Sequence, residues 1–423
     1  MEKLMKTVNI KTVTLPKEKS SSEKYNSHKS FGKMLILAQI FGFLPVQGIS
    51  GPDFRSSHFS WKSIRVMYAV LTILGTTFIT VMQLYKISGK SFDLHEANRL
   101  FFYCSGVIAG CLFLNLAKNW PALMKAWEKL ELSMLSYGWP DGLNRKLNIL
   151  LTVFMVAALI EYIFGQTNKA DLSLRCNNSS ADAFTYFFKN MSFSHIFVLM
   201  DYDVVKGLIL EAINLQITFI WTYNDLFVMF ISTALAYRLK QITARIKSVA
   251  DAKTDSEVTW KNLREDYNRV CKFCRTVDEE ISYIVLLTFA SDLFFILVQL
   301  FNSLKQMRSN WERLYFYWSF GLLILRTVCL CLFGAKVNDE STKPLLILTS
   351  VPSDVYNSEI QRFIQQIAAI EVAITGKNFF SITRGLILSI AGAIVTYELV
   401  LIQFNGNLLT NASDNSGSCP AFV

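Results

Sequence analysis

The chain has 423 residues and a formal net charge of +9, yet only 18% of it is charged while 52% is apolar, and its mean hydropathy is +0.32. A soluble chain carries about 25% charged residues; here the apolar residues fall in long charge-poor blocks, which excludes a disordered chain, a secreted disulfide scaffold and an ordinary cytosolic enzyme. The 33 Phe, 16 Tyr and 8 Trp suit a lipid solvent with aromatic interfaces, and basic residues placed between apolar blocks read as membrane topology, not as a nucleic-acid surface.

The first 33 residues are rich in Lys and Ser and hold no apolar core of signal-peptide length, so a cytoplasmic disordered tail is expected. Met34–Ile49 is broken by Gln39, Pro45 and Gln47 and reads as an interfacial or re-entrant helix. A helix needs about 20 mostly apolar residues to cross a bilayer, and seven windows qualify. Val66–Tyr85 and Leu100–Ala117 are free of charge. Leu147–Asn168 holds Glu161, Ala212–Tyr237 holds Asp225, Ile281–Leu304 holds Asp292, Leu314–Ala335 holds Arg326 and Gly385–Phe404 holds Glu398. No period-two alternation marks a barrel, so an all-α protein with seven transmembrane helices is expected. Between the last two windows, Leu345–Val351 is a short apolar run, and Glu359–Ile374 has apolar residues at helical spacing, which predicts a packed cytoplasmic helix.

With the N-terminus inside, the cytoplasmic segments hold 31 Lys and Arg and the outer loops 10. That asymmetry predicts a cytoplasmic N-terminus and, after seven spans, an extracellular C-terminus. Four N-x-S/T sequons, at Asn177, Asn178, Asn190 and Asn411, all fall on the predicted outside and are candidate glycosylation sites. Cys176 and Cys419 are the extracellular pair, for which a disulfide is one possibility. Cys271 and Cys274 form a lone C-x-x-C without the second pair that a zinc site needs. The four His are scattered, and no catalytic or cofactor motif is present, so neither an enzyme nor a cofactor is expected.

A charge inside a span is costly and points to function or to a structural pair. Arg326 is the one basic residue in the seven windows, with Asp225 and Asp292 as candidate partners. Other polar and aromatic residues lie toward the outer halves: Glu161 and Tyr162, Trp221, Tyr223 and Asn224, Gln299, then Tyr315, Tyr317 and Trp318. Carboxylates and amides beside aromatic rings suit a small polar ligand with groups to hydrogen-bond and faces to stack. The competing reading makes the terminal aromatics an interfacial belt.

The last window reads Thr396-Tyr397-Glu398-Leu399-Val400-Leu401-Ile402-Gln403-Phe404. It resembles the TYhhhhhQF signature of insect gustatory receptors, where h is apolar; Glu398 departs from the strict pattern at the first h. Phe43-Leu44-Pro45-Val46, Trp61-Lys62-Ser63-Ile64-Arg65, Lys118-Asn119-Trp120-Pro121 and Tyr237-Arg238-Leu239-Lys240-Gln241-Ile242 resemble the sugar-receptor branch. The resemblance implies a chemosensory, ligand-gated, non-selective cation channel in the cell membrane, a homotetramer or a heterotetramer with related receptors. Its partners would be a mono- or disaccharide, the cations Na, K and Ca, and the lipid bilayer. It implies five regions: the tail 1–33, a six-span ligand-binding region 34–335, a subunit-contact region 336–384, a pore helix 385–404 and an extracellular tail 405–423. In the pore helix, spacing puts Tyr397, Leu401 and Phe404 on one face and Thr396, Val400 and Gln403 on the next. A Phe404 ring facing the axis would be a dewetting gate, with Gln403 replacing it on rotation and Glu398 about two turns below favouring cations. The alternative is a seven-span receptor or transporter for another small polar ligand.

Overall fold

The computed structural model describes residues 27–49, 56–88, 94–138, 142–176, 180–304, 307 and 309–405. Among these the chain is almost wholly helical. Eleven α-helices follow in order: α1 (Ser27–Ile40), α2 (Ile64–Ser88), α3 (Leu94–Ser133), α4 (Leu143–Arg175), α5 (Ser180–Tyr186), α6 (Ser194–Phe197), α7 (Val204–Asp251), α8 (Glu257–Ser303), α9 (Asn310–Thr349), α10 (Ser358–Ala369) and α11 (Arg384–Asn405). Six of them, α2, α3, α4, α7, α8 and α9, are long and apolar enough to cross a membrane. The 22 residues of α11 extend about 33 Å, enough for a hydrocarbon core of about 30 Å.

The centre of the bundle is α7. Every residue from Thr222 to Ala236 is buried, as expected of a helix that is apolar all round. It packs along α9 and also meets α3, α4 and α8, while α2 pairs with α3. Close approach uses small residues: a Cβ on Gly106 of α3 would stand 2.8 Å from Ile217, and one on Gly110 2.8 Å from Ile73. On α2 the polar Thr72, Thr76 and Thr80 hydroxyls donate to carbonyls one turn back, at 3.0, 2.8 and 2.8 Å, so none is left unsatisfied in an apolar setting.

The two ends of the bundle differ. At the cap end the α4–α7 connection folds into α5, a π-helical turn at Phe187–Ser192, and α6. At the stalk end α3, α7, α8 and α9 run on beyond their apolar windows. Polar contacts tie that stalk together. Arg238 of α7 pairs with Glu131 of α3 at 2.7 Å, and Arg264 of α8 with Glu359 of α10 at 2.9 Å. The helix starts follow their caps. Ser309 accepts from the Glu312 amide at 3.2 Å, an S-x-x-E start, and Asn357 accepts from two amides to open α10.

One expectation is narrowed and two are corrected. Of the interfacial and re-entrant readings of Met34–Ile49, burial is at odds with the interfacial one alone: Phe31, Met34, Leu35 and Ala38 of α1 are at most 1% exposed. Phe31 sits among Trp120, Trp127 and Phe230 with ring centroids 4.9–6.0 Å apart. Gln39 donates to Val46 O at 2.6 Å, absorbing the polar group that made the segment look broken. Leu345–Val351 is no separate run, because α9 continues to Thr349. The helix expected over Glu359–Ile374 stops at Ala369. From Ile370 the β-branched chain is extended, and Thr375 bridges to Ser381. Asp278 of α8 fixes that turn by accepting from the Thr375 amide at 2.6 Å and its hydroxyl at 2.8 Å.

Candidate functional site

A cavity of about 400 Å³ opens among the cap-end halves of α3, α4, α7, α8 and α9. The helical period explains its wall. Asn214, Thr218, Trp221 and Thr222 fall at i, i+4, i+7 and i+8 along α7 and all line it. From α4 come Glu161, Tyr162, Gly165 and Gln166, at i, i+1, i+4 and i+5 on one face. α8 contributes Phe295 and Gln299, one turn apart, and α9 contributes Tyr315 and Ser319. His95, Asn98, Arg99 and Phe102 at the start of α3 complete the rim.

The cavity is amphipathic and internally braced. Ser319 donates to the Glu161 carboxylate at 2.6 Å, linking α4 to α9. Tyr162 and Gln166 donate to Glu211 at 2.9 and 2.5 Å, linking α4 to α7. Aromatic faces lie beside these groups: Trp221 tilts against Phe295 at 4.5 Å, and Phe219 lies near Tyr162 at 6.4 Å. Below the cavity sits a buried charge cluster. Arg326 of α9 pairs with Asp225 of α7 and, at 3.7 Å, with Asp292 of α8. It donates to the Thr222 hydroxyl at 3.0 Å and lies 4.4 Å from the centre of the Trp221 ring. Thr327 donates to Asp292 at 3.0 Å. Two carboxylates thus face one guanidinium.

Of the residues singled out in the sequence, the structure brings Glu161, Tyr162, Trp221, Gln299 and Tyr315 onto the cavity wall. Asn224 lies on a small neighbouring void with Trp221. Asp225 and Asp292 lie beneath, fully buried against Arg326. Tyr223 is corrected: it points to the opposite side of α7, 5.4 Å from Phe113, and donates to Met34 O at 3.4 Å. Adjacent helix positions diverge by about 100°, which separates it from Thr222. Tyr317 is also corrected, being 68% exposed on the outer surface of α9. Trp318 is 36% exposed and meets Phe164 edge-on at 5.7 Å, off the cavity wall; the interfacial-belt reading fits both. Sequence reading missed Arg99, Asn98 and His95, which it placed in an outer loop, and Asn214 and Thr218, whose helical spacing from Trp221 was the available signal.

His195 was set aside as a loop residue, but in α6 it is fully buried. Arg99 donates to its Nδ1 at 3.3 Å, which puts the proton on Nε2. Burial, and then the Arg99 charge, push its pKa down from 6.5 to about 3.

None of the described side chains of α11 is buried. Tyr397 is 52% and Val400 40% exposed, and Glu398 and Gln403 are exposed. The Leu401 and Phe404 side chains lie outside the described residues, as do Asn177, Asn178, Asn411 and Cys419. Asn190 is half-buried in the π-helical turn. Cys176 is disulfide-bonded, while Cys271 and Cys274 are buried free thiols.

Comparison with known proteins follows the same lines. The model of the trehalose receptor family matches residues 12–414. Gustatory receptor for sugar taste 64f of Drosophila melanogaster is 32% identical over 402 residues, covering 93% of this chain and 85% of the relative. Gustatory receptor 5a for trehalose of the same fly is 31% identical over 382 residues, covering 89% and 85%. The insect olfactory receptor OR5 from Machilis hrabei superposes with a TM-score of 0.66 at 16% identity, covering 90% of this chain and 99% of that one, so the two share a fold. This chain is a multi-pass membrane protein, not an enzyme, and it belongs to the trehalose receptor family, in the sugar-receptor branch of the insect gustatory receptors.

Proposed function

We propose that this protein is a sugar taste receptor acting as a ligand-gated, non-selective cation channel in the plasma membrane of chemosensory neurons. The observation that carries the reading is the cavity. Its volume of about 400 Å³ lies in the range for small-molecule sites. Its wall sets the Glu161 carboxylate and the Gln166 and Gln299 amides beside Trp221, Tyr162 and Phe295, the mixture that hydroxyls and C–H faces require.

The N-terminus is cytoplasmic in this reading, supported by the basic asymmetry of 31 against 10. The cavity then faces outside, where taste ligands arrive. The channel part rests on α11, an apolar helix with no fully buried side chain among those described: Leu386, Ile387, Ile390 and Ile394 are half-buried against the bundle and the other described side chains, Leu388, Val395 and Val400 among them, are mostly exposed in the single chain. An apolar surface of that extent calls for neighbours, here lipid and the α11 helices of other subunits. Four copies around one axis would bring Tyr397, Glu398, Val400, Leu401, Gln403 and Phe404 to a pore carrying Na, K and Ca. Region 336–384 would hold the subunits together, as a homotetramer or a heterotetramer.

The test is expression in a heterologous cell, alone and with related receptors, and a current screen across mono- and disaccharides. A sugar-evoked cation current supports the reading. Sugar uptake without current would make the chain a transporter. A response abolished by blocking G proteins would make it a coupled receptor.

A further inference from the structure

The stalk-side boundary of the membrane carries a cluster that the sugar cavity and the pore do not use. Lys146 lies in the first turn of α4 immediately before its apolar window, Lys336 follows the window of α9 immediately, and Lys240 lies three residues beyond that of α7. These three helices pack on one another, so the three lysines gather at one depth. Their ammonium groups share two aromatic rings. Lys146 Nζ is 5.5 Å from the centre of the Tyr237 ring and 5.4 Å from that of Phe333. Lys240 lies 5.9 Å from Tyr237, and Lys336 4.4 Å from Phe333.

Among the described ion pairs no carboxylate answers any of the three. The nearest acids in the α9 sequence are taken elsewhere: Asp339 pairs with Arg384 at 2.9 Å, and Glu340 with Lys343. Lys146 and Lys336 are half-buried. Two half-buried, like-charged ammonium groups repel and lose hydration, a cost that a shared anion removes. A basic pocket between spanning helices on the cytoplasmic side suits the phosphates of an inner-leaflet lipid.

We propose that Lys146, Lys240 and Lys336 form a binding site for the polyphosphorylated headgroup of an inositol lipid, its acyl chains lying along α4 and α9. The site takes its leaflet from the cytoplasmic N-terminus given above, but its chemistry does not depend on sugar binding or on conduction. Multiple phosphates on one ring match three ammonium groups in a way that a single phosphodiester does not. An occupied site would also clamp α4, α7 and α9, the helices that carry Glu161, Trp221 and Tyr315.

The experiment uses the full-length chain in phosphatidylcholine nanodiscs, which present both faces, so neither orientation nor channel activity enters. The probe is a fluorescent phosphatidylinositol 4,5-bisphosphate; the competitors are phosphatidylserine at equal charge and soluble inositol 1,4,5-trisphosphate. The wild-type chain is expected to bind the probe and to melt at higher temperature in its presence. Lys146→Gln with Lys336→Gln should weaken binding on the order of tenfold or more while keeping the melting temperature measured without probe. Lys247→Gln with Lys272→Gln, two exposed stalk lysines, should leave binding unchanged. Equal binding by the Lys146/Lys336 variant would overturn the site. Equal competition by phosphatidylserine would reduce it to diffuse charge attraction, and equal binding of the soluble trisphosphate would overturn the lipid as ligand. Should the Lys146/Lys336 variant fail to fold, Lys240→Gln alone, at an exposed position, must still weaken binding severalfold for the proposal to stand.

Discussion

Two residues bear most directly on the cavity. Glu161 holds Ser319 at 2.6 Å and lines the wall, so it can accept from a sugar hydroxyl. A hydrogen bond to a charged group contributes about 1.5–3 kcal/mol, so Glu161→Ala should raise the half-maximal sugar dose about tenfold or more without loss of surface protein. An unchanged dose–response curve would remove Glu161 from the site. Arg326 answers two buried carboxylates, and removing one member of such a cluster costs about 3–5 kcal/mol. Arg326→Ala should therefore deplete surface protein, read by biotinylation of intact cells, and full surface levels would contradict a structural role. The sequence singled out Glu161, Trp221 and Gln299 because a polar or large aromatic group in an apolar window stands out. Tyr223 stood out for the same reason and faces the other way. Composition marks which residues are unusual, but only the helix phase says where each one points.

At the scale of the element, phase and length decide. All seven windows lie on helices, because twenty apolar residues have few alternatives in lipid. The stalk extensions of α7 and α8 were less legible, since polar helix in water looks like loop to a hydropathy count. In α6, His195 is kept neutral by burial and by Arg99. Its folded pKa, about 3, lies below the unfolded value of 6.5, so its contribution to stability is whole above 6.5 and falls away as pH drops toward 3. At pH 5 the loss is about 2 kcal/mol. The melting temperature of the purified chain should fall between pH 7.5 and 5, and His195→Asn should flatten that fall; an equal fall in the variant would assign the acid sensitivity elsewhere. In α11, Phe404 and Gln403 lie one helical step of about 100° apart. Phe404→Ala should leak cations without sugar, and Gln403→Leu should silence the current while sparing sugar binding. A Phe404→Ala channel that stays shut at rest and opens normally would place the gate elsewhere.

The whole molecule joins a braced cavity at the cap end to an apolar helix that packs on the bundle along one side and is exposed along the rest. α9 is the shared piece: it carries Ser319 and Tyr315 on the cavity, Arg326 beneath it and, through Arg384 on Asp339 at 2.9 Å, a tie to the start of α11. Ligand closing the wall on α9 has a direct path to the pore helix in this account. The measurement that tests the account most directly is sugar applied to the outer face of excised patches from cells expressing the chain, alone and with a related receptor, in solutions free of GTP. The account predicts a cation current that appears with sugar and whose half-maximal dose rises in Glu161→Ala. Surface receptor with no sugar-evoked current in either combination, or a current that Glu161→Ala leaves untouched, would contradict it.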